Sequence, residues 1–243
     1  MLLTLDNVTR HFGELAAVKE VSFAVEEGEV FGIAAPNGAG KTTIFNLVSG
    51  FLHGSGRITF DGKRIDGLPP HRITQRGVAR TFQIPQPFQS MTVVQNLRIG
   101  EYFGVESKAT VAKHSPWSEL SELISFVGLE GKEDKPVTTL KLYDKKLTVL
   151  ASALATRPRL IMLDEALGGL SAVEAEQSLG LLSRLNKEWG LTVLMIEHLM
   201  SALTRSCNRL LILNNGEVLA LDEPTKVVQQ PAVIECLVGG KHA

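Results

Sequence analysis

Residues 35–43 read Ala35-Pro36-Asn37-Gly38-Ala39-Gly40-Lys41-Thr42-Thr43, between the apolar run Val30-Phe31-Gly32-Ile33-Ala34 and the helical pattern Ile44-Phe45-Asn46-Leu47-Val48. This order restricts the fold severely. A buried strand must run into a tight turn of small residues and then directly into a helix. The backbone N–H groups of such a turn close around a single anion, which suits the phosphates of a nucleotide. Asn37, Gly38, Ala39 and Gly40 then surround the β-phosphate and the helix N-terminus adds partial positive charge. Lys41 reaches the β and γ oxygens, the Thr42 hydroxyl is a ligand for Mg²⁺, and Thr43 continues the first turn. The strict form of this pattern has glycine where this chain has Ala35. A methyl group strains the turn only if the backbone there needs positive φ, so the change is expected to be tolerated.

The flanking sequence predicts an α/β fold. Residues 2–8 and 21–25 alternate apolar and polar, as half-buried strands do. Residues 56–65 form a hairpin pattern with Asp61-Gly62 at its turn, and Gly77–Gln83 reads as another strand. After Pro85 and Pro87 the period changes. Leu120, Leu123, Ile124 and Val127 share one helical face, as do Leu147, Leu150, Ala151 and Leu154. Residues 104–118 are polar, contain Pro116 and read as a loop. The expected organisation is a core of 1–83 and 155–243 interrupted by a helical insertion of 84–154. In the returning core, Leu160–Leu163 and Leu191–Ile196 are buried-strand runs, with a helix opened by a Ser171/Glu174 capping box between them. Leu210–Leu213 and Val218–Leu221 flank Asn215-Gly216 as a second hairpin. Strands alternating with helices imply a largely parallel sheet with antiparallel additions.

Bulk properties exclude several classes. A net charge of −1 over 243 residues gives no general attraction to nucleic acid or to anionic lipid. No apolar run approaches the roughly 20 residues of a membrane span. The N-terminus lacks the basic region and cleavage site of a signal peptide, so a membrane role is expected to come through a partner. Cys207 and Cys236 are far apart, without metal-like spacing, and read as two reduced thiols.

Two further strand ends carry candidate chemistry. Leu160-Ile161-Met162-Leu163 is followed by Asp164-Glu165, where open α/β sheets place their ligands. Asp164 suits a water-mediated hold on Mg²⁺, and Glu165 suits a general base acting on an attacking water. The next buried strand ends in Glu197-His198, where a histidine is placed to bond a γ-phosphate. Gln83 ends the strand before the helical region, and its amide can touch Mg²⁺ or the water. Solvated turn acids and a surface histidine are the bland alternatives, and the phosphate loop on the same sheet disfavours them.

Phosphate loop, Gln83, helical insertion, Leu163-Asp164-Glu165 and His198, in that order, resemble the ATPase subunit of ABC transporters over nearly the whole chain. The resemblance implies a P-loop ATP-binding core with an antiparallel β subdomain and a helical subdomain. It also implies ATP and Mg²⁺ as cofactors and a second ATPase subunit closing over the nucleotide. The other implied partners are transmembrane permease subunits and, indirectly, a solute-binding protein, at the cytoplasmic face of a bacterial-type membrane. Phe12 falls where the family stacks an aromatic on adenine and Val18 where an apolar contact flanks it; plain core is an equal reading of Phe12. Thr81-Phe82-Gln83, Met91–Leu97, Ile196-Glu197-His198 and Pro231–Gly239 most resemble ATPases of branched-chain amino acid importers. Related importers carry urea, amides or aromatic acids.

One family element is missing. The signature loop, Leu-Ser-Gly-Gly-Gln, caps the γ-phosphate held by the opposite protomer. Here Leu140-Lys141-Leu142-Tyr143-Asp144 stands in its place. Tyr143 adds bulk, Asp144 reads as a helix N-cap whose charge opposes a phosphate, and Lys141 offsets it in part. Ala166 also replaces the usual proline after the acid pair, and Gly168-Gly169-Leu170-Ser171 stands where an Asp or Asn commonly ends the loop. The expectation is a heterodimer in which another subunit supplies an intact signature loop. A nucleotide-binding regulatory subunit with little hydrolysis is the alternative. Ribosome- or DNA-acting relatives carry tandem domains or basic surface that this chain lacks.

Overall fold

A computed structural model describes residues 1–105 and 117–239, so the loop expected at 104–118 lies, but for its ends, outside the described residues. The chain divides into two compact units, 1–70 with 192–243 and 71–191. The second unit holds the expected helical insertion together with strands and helices on either side of it.

The first unit contains an antiparallel sheet ordered β2-β1-β4-β5, formed by β1 (Leu3–Phe12), β2 (Leu15–Val25), β4 (Ser55–Phe60) and β5 (Lys63–Arg64). The β4–β5 turn is Asp61-Gly62, with φ of 51° and 69°, as the sequence predicts. The first two strands run much further than 2–8 and 21–25, meeting at Phe12↔Leu15. Register shifts follow Leu5, Val8 and Arg10, and each one resets the two-residue alternation. A strand interrupted by bulges loses its period in the sequence while keeping its pairing.

The same unit carries β3 (Val30–Ala34), flanked in parallel by β8 (Thr192–Ile196) and β9 (Arg209–Asn214), with β10 (Glu217–Asp222) antiparallel outside β9. Every residue of β3 and β8 is buried. Such strands read as continuous apolar runs because both faces are covered. The β9–β10 turn is Asn215-Gly216, at φ 48° and 81°. Helix α1 (Lys41–Val48) leaves the end of β3 through the phosphate loop and buries Ile44, Phe45, Leu47 and Val48. Cys207 lies under β3; burial pushes its thiol up to about 12, which keeps it unreactive.

A short helix, α2 (Pro70–Gln75), which the sequence reading omits, has all but its first residue in the second unit. Parallel strands β6 (Val78–Thr81) and β7 (Leu160–Asp164) follow, paired Thr81↔Leu163 at their ends. Between them lie α3 (Val93–Phe103), α4 (Leu120–Val127) and α5 (Leu142–Ala155). Leu123, Ile124 and Val127 of α4, and Leu147, Ala151 and Leu154 of α5, are buried as their spacing predicts. Helix α6 (Ala172–Trp189) opens on the expected capping box: Ser171 Oγ accepts from the Glu174 N–H while the Glu174 carboxylate accepts from the Ser171 N–H. Gly190 ends it in the left-handed conformation at φ 64°.

Candidate nucleotide site

The loop expected to bind phosphate takes its shape from its own backbone. Gly38 and Gly40 have φ of 79° and 103°, values that a side chain disfavours. At Gly40 the restriction is also spatial, because an added Cβ would lie 2.3 Å from the carbonyl oxygen of Ala17. Ala35 is buried and is not among the residues with positive φ, so its methyl group is unstrained and the departure from glycine is tolerated as expected. Lys41 is buried, and its Nζ donates to the carbonyl oxygens of Ala35 at 2.8 Å and Pro36 at 3.0 Å. The ammonium group is thereby held across the mouth of the turn. Helix α1 has no acidic residue in its first turn and no side-chain cap from Gly40, so no carboxylate opposes the partial positive charge of its N-terminus. Thr42 is exposed and Thr43 half-buried.

Elements around the loop belong to the same unit. The Gly216 N–H donates to the Ala39 carbonyl at 3.2 Å, and the Lys19 N–H donates to the Gly216 carbonyl at 2.8 Å. Val18, expected to flank a base, is fully buried, with a methyl group 3.4 Å from where a Cβ of Gly40 would stand. It therefore packs under the loop instead of offering a surface to a ligand. Phe12 is 46% exposed, which overturns the core reading of this ring. The Arg10 guanidinium lies 4.8 Å from its centroid, and Arg10 is itself bonded to the His53 carbonyl at 2.7 Å. His198 is exposed just past the end of β8, with Glu197 buried before it. Since β3 and β8 pair as Ile33↔Ile196, the phosphate loop and His198 leave neighbouring strand ends.

The second unit gathers the other candidates. Asp164 closes β7, and Glu165 follows it at φ 49°, a left-handed conformation that costs a non-glycine residue about 1 kcal/mol. Proline at position 166 would restrict the preceding residue; with Ala166 that restraint is absent. The Gln83 side-chain amide donates to the Glu165 carboxylate, so the two strand ends place these residues in direct contact. Gln83 itself is exposed and stands two residues beyond β6.

Sequence reasoning missed Arg80. Its Nη2 donates to Asp164 Oδ2 at 2.8 Å, with side chains 6% and 7% exposed respectively. Burial pushes the guanidinium pKa down, while the Asp164 hydrogen bond and charge oppose that. The available signal was an arginine among the short side chains of the strand Val78-Ala79-Arg80-Thr81. A long cation buried in a strand requires a buried anion.

The segment expected to stand in place of the signature loop, 140–144, is also built differently from its sequence reading. Helix α5 starts at Leu142, so Lys141 is its N-cap and Asp144 lies within the first turn. Asp144 is not a cap: its carboxylate pairs with Lys132 Nζ at 2.7 Å. Burial pushes the Tyr143 phenol up despite a hydrogen bond with Ser178. Lys141 contributes its charge to Glu174. Further along α5, Lys146 Nζ donates to the Ala166 carbonyl at 2.8 Å.

A strand, a glycine turn and a helix N-terminus of this geometry define a phosphate-binding α/β protein. Residues 18–168 match the ABC transporter family, and the chain belongs to that family as an ATP-hydrolysing cassette subunit. It is 33% identical to the high-affinity branched-chain amino acid transport ATP-binding protein BraF of Pseudomonas aeruginosa, over 98% of both chains. It is 35% identical to the spermidine/putrescine import ATP-binding protein PotA of Nitrosospira multiformis, over 95% of this chain and 61% of that protein. Among solved structures it is similar to the ADP conformation of an ATP-binding cassette of an ABC transporter. That match has a TM-score of 0.86 and 31% identity over 98% of each chain.

Proposed function

We propose that this chain binds Mg·ATP, hydrolyses it within its own half-site, and drives an importer for branched-chain amino acids or related small polar, amide or aromatic solutes. The phosphate loop, residues 37–43, carries the triphosphate, and Lys41 neutralises its β and γ oxygens. Glu165 is the general base, Gln83 orients the water, and His198 bonds the γ-phosphate. Phe12 supplies the face on which adenine stacks, with Val18 supporting the loop from beneath.

The residues expected to hold magnesium suit it. Thr42 in the first unit, and Gln83 and Asp164 in the second, each offer a hard oxygen atom, and no group of three or more His, Cys, Asp or Glu residues among those described forms a protein cage. Mg²⁺ keeps several waters and binds through one or two carboxylates plus phosphate oxygens, so an incomplete protein set is what it requires. When bound, it supplies charge stabilisation to the transferring phosphoryl group.

The observation that carries hydrolysis over passive binding is the Gln83–Glu165 hydrogen bond. It keeps the base and its expected sensor in one contact, beside an intact Asp164. Replacing Glu165 with Gln in the native membrane complex is expected to lower phosphate release by about 10²-fold or more while ATP stays bound. A regulatory subunit with little hydrolysis would be indifferent to that change. The start of α5, with Asp144 in its first turn paired to Lys132, is the one observation favouring this second reading.

That same segment motivates a heterodimer. A partner subunit with an intact signature loop caps the nucleotide of this chain, and this chain returns a poor cap. Permease subunits dock in the apolar groove beside Gln83, whose walls include Thr81, Phe82, Pro85, Leu147 and Leu150. Ile84 and Phe88 are 69% and 55% exposed along the segment that follows. Buried Asn96 steadies this segment, accepting from the Phe88 N–H at 2.7 Å and donating to the Phe88 and Thr92 carbonyls. No helix among the described residues is long and apolar enough to cross a membrane, in keeping with a peripheral subunit at the cytoplasmic face. A solute-binding protein serves the complex from the other side. The BraF relative supports branched-chain amino acids as cargo, whereas the PotA relative, at similar identity, is named for spermidine and putrescine import.

A further inference from the structure

We propose that Arg80 is a positioning residue that ties the nucleotide-site acid Asp164 to the exposed ring of Phe82. This rests on the role given above to Asp164 at Mg·ATP and names the residue that tunes it.

Arg80 lies in β6, where Val78, Ala79 and Thr81 are buried. Its edge bonds Asp164 at 2.8 Å, in a pair almost removed from solvent. Two ions that have lost their hydration persist together because each compensates the other, and removing one leaves the other exposed to the full desolvation penalty. The carbon at the centre of the same guanidinium lies 4.7 Å from the centroid of the Phe82 ring. Phe82 is 46% exposed and lines the apolar groove. A planar cation can serve a carboxylate with its edge and an aromatic ring with its face at once; an ammonium group cannot.

The consequences follow from charge. Arg80 and Mg²⁺ both compete for the field of Asp164, so the guanidinium lowers the affinity of the loaded site for the metal. Phe82 holds the guanidinium in place, so displacing the ring loosens the grip on Asp164. Whatever rests on Phe82 and whatever is drawn to Asp164 thus act on one side chain.

The test is a Mg²⁺ titration of fluorescent ATP-analogue binding to the full-length chain, with thermal melting to confirm folding. Arg80→Met is expected to lower the Mg²⁺ midpoint about tenfold, since a buried carboxylate stripped of its cation takes another. Arg80→Lys, which keeps the charge, should shift it less than about threefold. Phe82→Leu should lower it about threefold in the wild-type background, the size of a partly exposed cation–π contact. It should produce no shift in the Arg80→Met background. A folded Arg80→Met variant with an unmoved midpoint overturns the proposal, as does an equal Phe82→Leu effect in both backgrounds. If Arg80→Met does not fold, the cycle is run with Arg80→Lys, and strict additivity overturns it. Asp164→Asn separates the two layers: a midpoint that fails to rise contradicts the role of Asp164 itself, whatever Arg80 does.

Discussion

Two helix N-termini of this chain face opposite ways chemically. The start of α1 carries no competing acid: Gly40 caps it at φ 103°, no acid lies in its first turn, and Lys41 is buried with its charge across the loop. The start of α5 is filled by the protein itself, with Asp144 in the first turn, Lys132 paired to it, and Tyr143 bonded to Ser178. Both ends carry the same partial positive charge from their peptide dipoles. The dipole alone therefore does not make a phosphate site; the first turn must also be left without competing groups. This contrast underlies the proposed asymmetry, in which the chain keeps its receiving half-site and has given up its capping half.

The largest expected effect is at the start of α1. Lys41→Ala in the assembled complex should lower phosphate release by roughly 10²–10³-fold, the usual cost of deleting one well-placed electrostatic donor. Equal loss from Lys141→Ala would erase the distinction between the two termini.

Next comes the backbone of the loop. Gly40→Ala forces a Cβ to within 2.3 Å of the Ala17 oxygen at a strained φ. It is expected to cost about 2 kcal/mol, or roughly 4–8 °C in Tm by calorimetry. Ala35→Gly should change stability by less than about 1 kcal/mol, because Ala35 has no positive φ to relieve. A reversal of that order would break the account of the turn.

A smaller effect than that of Gly40→Ala concerns a third N-terminus, that of α6, where a side chain accepts from the Glu174 amide. Ser171→Ala should lower Tm by about 2–4 °C near neutral pH. Hydrogen bonds from the Ser171 backbone and hydroxyl hold the Glu174 carboxyl below its ordinary range. A depressed carboxyl stabilises the fold above its unfolded pKa, and that contribution disappears as pH falls through the lower folded value. The difference between wild type and Ser171→Ala should therefore narrow in melts run at pH 3 compared with pH 7.

What could be read from the sequence depended on how local the physics was. The turn and helix start at 35–48 were legible because the residue types follow from their own backbone, with glycine at the two positive φ values of Gly38 and Gly40. Both hairpin turns were legible for the same reason. The full lengths of β1 and β2 were hidden by bulges, which break the alternation without breaking the pairing. Asp144 was misread as a cap because cap preference identifies a residue type and not the residue at which a helix begins. Arg80 could not be assigned a partner, because Asp164 lies 84 residues away and only pairing of β6 with β7 joins them. The exposure of Phe12, open in the sequence, was decided only by the strand that carries it.

The contrast between α1 and α5 is tested most directly by sedimentation of the isolated Glu165→Gln chain with saturating Mg·ATP. A parallel sample has the family's Ser, Gly, Gly and Gln grafted at positions 141–144. The ungrafted chain is expected to sediment as a monomer and the grafted one as an ATP-dependent dimer. A stable ATP-bound dimer of the ungrafted chain would contradict the account.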